Sequence, residues 1–518
     1  MTTSPWMEDG PPEAPQRLPR GTMVDVCVVG AGIAGLSTAY QLARAGLSVI
    51  VVDDRPIGCG ETGRTSAHLS SALDDRYAWL ERMHGREGAR LAAESHAAAI
   101  DFIEAVIAEE NIACDFARVP GYLFAAPGEP EEELDRELEA AQRAGVEVER
   151  QGESCFTFYD TGPCLRFARQ AVFHPVRYLQ GLARAVRRWG GNVYTGLHAA
   201  QIEGGSPCRV FMRDGREVLA DRVVVATNVP VHARFAIHSK QAAYRTYLVS
   251  LEVPAGAIPN ALYWDTGDPY HYLRLAPAGP GAEQLMVGGE DHRTGQASAP
   301  EDRWDRLEEW TRARFPMAGR VLHRWSGQII EPVDGLAYIG ESPGLSHPGV
   351  YLVTGDSGNG LTHGTIAGIL LRDLITGREN PWADLYAPGR VSLRALGEIA
   401  RDNLNIATQY AHWLEPSEVS SVDDIEPGEG ALVRHGMRIL AVYRDGGGEL
   451  HRLSAVCQHL GCIVAWNSSE KTWDCPCHGS RYDRLGHVIN GPARSNLVPA
   501  AEGEDEEYPP SWPPSPPA

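Results

Sequence analysis

The chain has 518 residues, 43% hydrophobic and 22% charged, and a net charge of −21. That length is too great for one hydrophobic core, so two to four domains are expected. The charge argues against nucleic acid or an anionic membrane as partner, and no apolar run of about 18 residues exists, which argues against membrane insertion.

Residues 1–20 are rich in proline and acid and lack an apolar segment of signal type. They read as a disordered lead-in, and the cytoplasm is the expected location. Val24-Asp25-Val26-Cys27-Val28-Val29 suits a buried parallel strand. It runs into Gly30-Ala31-Gly32-Ile33-Ala34-Gly35, then a helical stretch from Leu36 to Ala45. A second apolar strand, Leu47 to Val52, closes on Asp53 and Asp54. In such a βαβ unit Gly30 permits the tight turn, Gly32 lets backbone approach a pyrophosphate, and Gly35 lets the helix pack close to the strand. The helix N-terminus offers N–H groups and a positive dipole end to phosphates, and Asp53 can accept from ribose hydroxyls. The following loop, Gly58 to His68, is small, hydroxylated and glycine-rich. Its Thr62, Arg64, Thr65, Ser66 and Ala67 are placed to close over a bound dinucleotide.

Residues 75–150 read as mostly helical, with amphipathic stretches at Asp101 to Glu109 and Glu131 to Ala144. A helix is expected over Val176 to Trp189, and strands over Asn192 to Thr195 and Val210 to Arg213. The buried strand from Asp221 ends in Ala226, Thr227 and Asn228 and returns the chain to the nucleotide unit. Residues 240–330 alternate in strand fashion, as in a mixed sheet capping a cofactor. There Tyr270, Tyr272 and Arg274 share one face. Arg274 has the fork geometry to hold a substrate carboxylate, or is an exposed arginine on a surface strand. His271, Tyr244, Arg245 and His292 are further candidates for substrate contact. Val350 to Thr354 is another buried strand, followed by the turn Gly355 to Gly364 and a helix, Thr365 to Ile375. Gly355, Asn359, Gly360, Leu361 and Thr362 would face the cofactor, and the positive helix end suits its electron-rich part. His363, in the same turn, is either a donor to the cofactor or packing.

Of ten cysteines, six (Cys27, Cys59, Cys114, Cys155, Cys164 and Cys208) are scattered singly. That is no disulfide framework and fits a reducing compartment. The other four lie in Cys457-Gln458-His459-Leu460-Gly461-Cys462 and Cys475-Pro476-Cys477-His478-Gly479-Ser480. Thiolates of Cys457 and Cys475 with imidazoles of His459 and His478 suit a two-iron, two-sulfide cluster with two cysteines on one iron and two histidines on the other. The same spacing also satisfies tetrahedral zinc. Residues 391–417 read as a linker helix, 418–500 as the cluster domain, and 501–518, acidic and then proline-rich, as a disordered tail.

The nucleotide unit, the Thr62 to Ala67 loop, Ala226-Thr227-Asn228 and the Gly355 to Gly364 turn occur in that order. Together they resemble the D-amino-acid-oxidase-like family of FAD-dependent oxidoreductases, which includes glycine oxidase, sarcosine oxidase and the γ-glutamylputrescine oxidoreductases. The resemblance implies FAD at the Gly30 site, hydride transfer from an amine or amino acid, and a flavin-facing cap strand at Tyr272. Some relatives attach FAD through a histidine in the first loop. The matching position here is Arg64, which implies non-covalent FAD. The C-terminal segment resembles the Rieske proteins of respiratory cytochrome bc complexes. In those, the positions matching Cys462 and Cys477 form a disulfide between the cluster loops. Those matching Ser480 and Tyr482 donate to a bridging sulfide and a cysteine sulfur, which raises the potential. Zinc would need neither the spare cysteines nor these donors.

The expected architecture is an α/β FAD-binding, Rossmann-like domain over 21–390, with parts at about 21–75, 170–235 and 335–390. An α+β substrate cap occupies about 76–169 and 236–334, and an all-β Rieske domain follows. The expected activity is oxidation of a small-molecule amine or amino acid, with electrons passed singly through the cluster to an external acceptor, protein or O2. Two alternatives stand beside it. The cluster could feed the flavin for a reductive or oxygen-activating reaction, or the chain could be a non-catalytic electron-transfer module.

Overall fold

The computed structural model describes residues 2–8, 16–231, 237–296, 302–343 and 347–500. The 501–518 tail lies outside the described residues. The strand Thr22–Val29 sits between Val49–Val52 and Glu217–Val225 in parallel register, with Val26 opposite both Val49 and Arg222. Its apolar run from Val26 to Val29 is unbroken because both faces are covered there. Val26 and Val28 pack under the helices Ile33–Arg44 and Gly360–Ile375, whereas Cys27 and Val29 face a second cluster with Val210 and Val223.

Among the described residues eight strands form this sheet. The order is Tyr338–Glu341, Val350–Thr354, Glu217–Val225, Thr22–Val29, Val49–Val52, Asn192–Tyr194, with the hairpin Ala199–Glu203 and Cys208–Met212 joined to Glu217–Val225. The two covering helices cross through glycine. A Cβ on Gly364 would lie 3.0 Å from the Ala34 nitrogen, and one on Gly368 2.7 Å from the Ser37 carbonyl carbon. Their N-termini therefore lie side by side at the carboxyl ends of the parallel strands, where open α/β sheets bind ligands.

A second sheet of nine described strands forms the cap, ordered Val321–Pro332, Gln241–Pro254, Ala282–Arg293, His271–Gly279, Leu262–Asp265, Ala117–Phe124, Cys164–Val172, His68–Leu69, with Val148–Gln151 paired to Cys164–Val172. Helices Tyr77–Glu110 and Glu132–Arg143 fall where the amphipathic stretches put them. Residues 75–150 are mostly helical, as expected, but the sequence does not show the strand Ala117–Phe124 between the two helices. Pro120-Gly121 hides it: these residues disfavour a regular strand, and the register shifts between Val119 and Gly121. Residues 2–8 also depart from a disordered lead-in. Ser4 and Trp6 are buried, and Trp6 Nε1 donates to the Thr65 carbonyl at 2.7 Å. One large aromatic side chain offsets the entropy of ordering a short segment.

The helix Leu396–Gln409 leads to a three-stranded sheet (Gly430–His435, Arg438–Arg444, Leu450–Ser454) and a four-stranded one (Ala465–Asn467, Thr472–Asp474, Arg481–Asp483, Val488–Asn490). No described helix is long and apolar enough to cross a membrane. The seam between this part and the rest is buried and charged. Glu470 accepts from Thr2 N at 2.8 Å and from Ser326 Oγ, and it pairs with Arg245 at 3.4 Å and Arg64 at 3.8 Å. Arg481 Nε donates to Asp474 at 3.1 Å. Glu61 accepts from Gln328 N at 2.7 Å and Asn490 Nδ2 at 2.8 Å.

Candidate functional site

One cavity runs from the first glycine turn to the cap. Gly30, Ala31, Gly32, Ile33 and Ala34 line it at one end with Asp53 and Asp54. Thr62, Arg64, Thr65, Ser66, Ala226, Thr227, Gly355, Asn359, Gly360 and Leu361 line its middle, and Tyr270, Tyr272 and His363 its far end. Gly30 has φ +113°, and a Cβ there would stand 2.2 Å from the Ala226 carbonyl oxygen. Gly30→Ala is therefore expected to yield protein without flavin, read from visible absorbance after purification; full flavin content would contradict this role. Gly35 does not line the cavity. A Cβ on it would lie 1.9 Å from the Gly30 carbonyl oxygen, which fits its helix-packing part.

Asp53 is held in place by N–H donors from Ala31 (2.6 Å) and Arg55 (2.8 Å). Burial still raises its carboxyl to about 6. Asp54 meets His198 Nδ1 at 3.1 Å, and that bond lowers its carboxyl. Ile33 N donates to Thr62 Oγ1 at 3.2 Å, which ties the second loop to the first helix. The lining fits a dinucleotide by a further observation. Asn228 Nδ2, Gln328 Oε1, Asp356 Oδ1 and Asn490 Oδ1 are buried polar atoms without hydrogen-bond partners, on residues that all line this cavity. A polar ligand would satisfy them.

Several expected residues sit elsewhere. The Arg274 guanidinium is buried; it donates to the carbonyls of Ala67 (2.7 Å), Phe173 (3.3 Å) and Leu275 (3.0 Å), and covers the Trp6 ring at 5.4 Å. It holds the loop at Ala67, whose φ is +62°, and does not line the cavity. The proposed carboxylate clamp is corrected accordingly. His271 lies on the other face of the cap sheet, stacked on Trp310 at 4.3 Å and bonded to Asp265 at 3.0 Å. Arg64 brings its backbone to the cavity, but its guanidinium enters the seam, donating to Ser326 O (2.9 Å) and Thr2 O (2.8 Å). Arg245 is likewise a seam residue. Thr362 Oγ1 bonds the Asn359 carbonyl at 3.0 Å and His96 at 2.8 Å, away from the cavity. His292 pairs with Tyr247 at 3.1 Å, and Tyr244 lies under Arg293 at 5.4 Å.

At the far end, Tyr272 OH meets Thr246 Oγ1 at 2.8 Å, and Tyr270 OH donates to Asp74 at 3.4 Å. Burial, opposed in part by Arg76, leaves Asp74 raised to about 7. Burial also raises Asp291 to about 7, and lifts Glu331 with help from Asp75, Asp291 and Asp74. Three chain segments bring these acids together, and no local pattern in the sequence marks them. The histidines there are neutral. Burial lowers His68 to about 3 with Arg274 adding to it, and lowers His363 to about 4. His363 Nδ1 faces the Asp356 carbonyl at 2.9 Å, and its Nε2 faces His96 at 3.2 Å.

In the C-terminal part, two tight loops converge. Cys457 N donates to Cys462 O at 2.8 Å, and Cys475 N to Ser480 O at 2.8 Å, while the disulfide Cys462–Cys477 ties the loops together. Cys457 and Cys475 are free and buried, and the rings of His459 and His478 stand 4.9 Å apart. His478 Nδ1 is buried without a hydrogen-bond partner, and burial holds the ring neutral at about 4, the ligating form. Tyr482 OH lies 3.3 Å from Cys457 Sγ. Ser480 Oγ accepts from Ala493 N at 3.0 Å, so its proton is available to the cluster site. The donor set, two thiols and two imidazoles, fits a Rieske cluster.

Comparison with known proteins agrees with this geometry. Residues 25–374 match the family described as FAD dependent oxidoreductase (DAO), and residues 415–502 match the Rieske [2Fe-2S] domain. YhfW of Bacillus subtilis, named as a Rieske 2Fe-2S iron-sulfur protein, is 29% identical over 92% of this chain and 93% of its own. The γ-glutamylputrescine oxidoreductase of Escherichia coli is 27% identical over 68% of this chain and 84% of its own. The glycine oxidase of Geobacillus kaustophilus superposes with a TM-score of 0.60 at 18% identity, covering 71% of this chain and 99% of that one.

Proposed function

The chain belongs to the DAO family of FAD dependent oxidoreductases and carries a C-terminal Rieske [2Fe-2S] domain, and from that premise we propose that it is a dehydrogenase for a cationic amine, with electrons leaving through the Rieske domain to an external acceptor. FAD and a [2Fe-2S] cluster are its cofactors: the first takes a hydride from the carbon next to nitrogen, the second moves electrons one at a time.

One observation carries the choice of an amine over an amino acid. The cap end of the cavity presents the Asp74 carboxylate, with Asp291 and Glu331 near it, beside two tyrosines, while Arg274 is turned away and His68 and His363 are neutral. The arginines of the described lining lie elsewhere: Arg55 beside Asp53, Arg64 in the seam, Arg494 in the Rieske part. An ammonium group finds opposite charge and aromatic faces there; among the described residues no cation lines this end for a carboxylate, since Arg76 is outside the lining and donates to the Asp265 carbonyl at 3.0 Å. A carboxyl that titrates near neutrality can also hold the ammonium and accept its proton, so that the nitrogen lone pair assists loss of hydride. The Escherichia coli relative is named for γ-glutamylputrescine, which supports an amine substrate.

An anaerobic screen of amines and amino acids, following flavin bleaching and the cluster signal in one trace, tests this. Amines are expected to bleach both centres. If no amine bleaches the flavin, the reading is wrong.

A further inference from the structure

The wall between the cavity and the cluster site is thin. Gln328, on the strand Val321–Pro332, lines the cavity, and its Nε2 donates to the Gly479 carbonyl at 2.7 Å. Gly479 directly follows His478, whose Nδ1 is the buried ligating atom. A side chain at 479 would force the wall apart, since a Cβ there would lie 2.2 Å from Ala243 Cβ and 2.7 Å from Gln328 Nε2. Beside this contact His238, 2% exposed, stands edge-on to His459 at 5.1 Å and to His478 at 6.1 Å. The imidazole edge of the cluster site thus faces the oxidoreductase part. A second amide, Gln296 Nε2, reaches the Pro476 carbonyl of the same loop at 3.1 Å but does not line the cavity.

We propose that Gln328 is the bridge for electron transfer between the flavin cavity and the cluster, through its side chain, the hydrogen bond to Gly479 and the backbone of His478. The inference rests on both cofactors occupying the sites described and not on which substrate reduces the flavin. Tunnelling decays more slowly along bonded atoms than across a van der Waals gap, and this route crosses the wall with one hydrogen bond. Each transfer oxidises the reduced flavin by one electron and reduces one ferric iron of the cluster to ferrous. The flavin's proton goes to solvent, and a one-electron acceptor outside the chain clears the cluster between the two transfers.

The holoenzyme, reduced anaerobically by a light pulse with 5-deazaflavin as photoreductant and no amine present, reports this step as flavin reoxidation coupled to loss of cluster absorbance. Gln328→Leu removes the donor at similar volume; Gln296→Leu removes the neighbouring donor to the same loop. Transfer is expected to slow by at least an order of magnitude in Q328L and to match the parent in Q296L, with the cluster midpoint potential and EPR line shape unchanged and the rate compared at the measured flavin potential. A parental rate in Q328L, or equal slowing in both variants, overturns the route. So does a shifted cluster potential or line shape in Q328L, which would place the defect in the cluster itself. If Q328L does not retain both cofactors, Gln328→Glu, equal in shape and lacking the donor at neutral pH, is read by the same criteria. Because light supplies the electrons, failure here leaves the amine reading untouched, and failure of the amine screen leaves this route untouched.

Discussion

Glu470→Ala is expected to cost about 3–5 kcal/mol of stability, the range for removing one partner of a buried ion pair. Glu470, Arg245 and Arg64 are all buried, with the Glu470 and Arg245 side chains fully so. Without the carboxylate, two guanidinium groups remain in low dielectric with too little negative charge, and Thr2 and Ser326 lose an acceptor. Glu470→Gln separates charge from volume and should fall between parent and alanine variant. Thermal unfolding and protease cleavage of the seam read both changes; parental melting and parental protease resistance in E470A would sink the idea. The same group gives a pH signature. Burial pushes Glu470 up, but Arg245, Arg64 and Arg481 outweigh it and hold the carboxyl at about 2. A folded value below the unfolded one, about 4.3, adds stability that is complete above that pH and is lost as pH falls towards 2. The E470Q variant should lack this acid-side loss.

Both cofactor sites were legible because their signals are local. Gly30, Gly32 and Gly35 act within one turn, and Cys457, His459, Cys475 and His478 within two short loops. The substrate end was legible only in part. Strand alternation placed Tyr270 and Tyr272 on the cavity face, and by the same parity it placed Arg274 there. Parity gives the face but not the position along the strand. Two residues beyond Tyr272 the face no longer borders the cavity; it meets the Ala67 loop and Trp6. His271 follows the same rule in reverse, since its neighbours' parity sends it to Trp310. Arg64 and Arg245 read as cofactor or substrate cations because their true partner, Glu470, lies hundreds of residues away. Asp74, Asp291 and Glu331 gave no signal, since each is an ordinary acid until folding brings three segments together and removes water from them. Trp6 was lost to composition: the proline and acid around it describe the segment's average, whereas its structure depends on one side chain.

That acidic end sets the last expected result. Asp74 and Asp291 each titrate near 7, because burial raises both. Asp75 and Asp356 add to Asp74, and Asp74 and Glu290 add to Asp291, against Arg76, Arg303 and the Tyr270 and Thr246 hydroxyls. Below that pH the carboxyls are neutral and hold a cation weakly; above it they are anionic. The KM for a cationic amine should therefore fall as pH rises through about 7, in a range where a simple alkylammonium stays charged, while kcat follows its own profile. Asp74→Asn should raise that KM by about one to two orders of magnitude, the scale of a lost hydrogen bond to a charged group at about 1.5–3 kcal/mol, and should flatten its pH dependence; Asp291→Asn, behind the lining, should raise it less, through lost charge alone. Flavin content should stay parental. The sharpest comparison sets an α-amino acid against the amine left by removing its carboxyl group. With no cation among the described residues lining the cap end for the extra carboxylate, and acids already there to repel it, the amine should have the lower KM at every pH above 7. If the amino acid is the better substrate, or if both asparagine variants keep the parental KM, the acids do not recognise substrate.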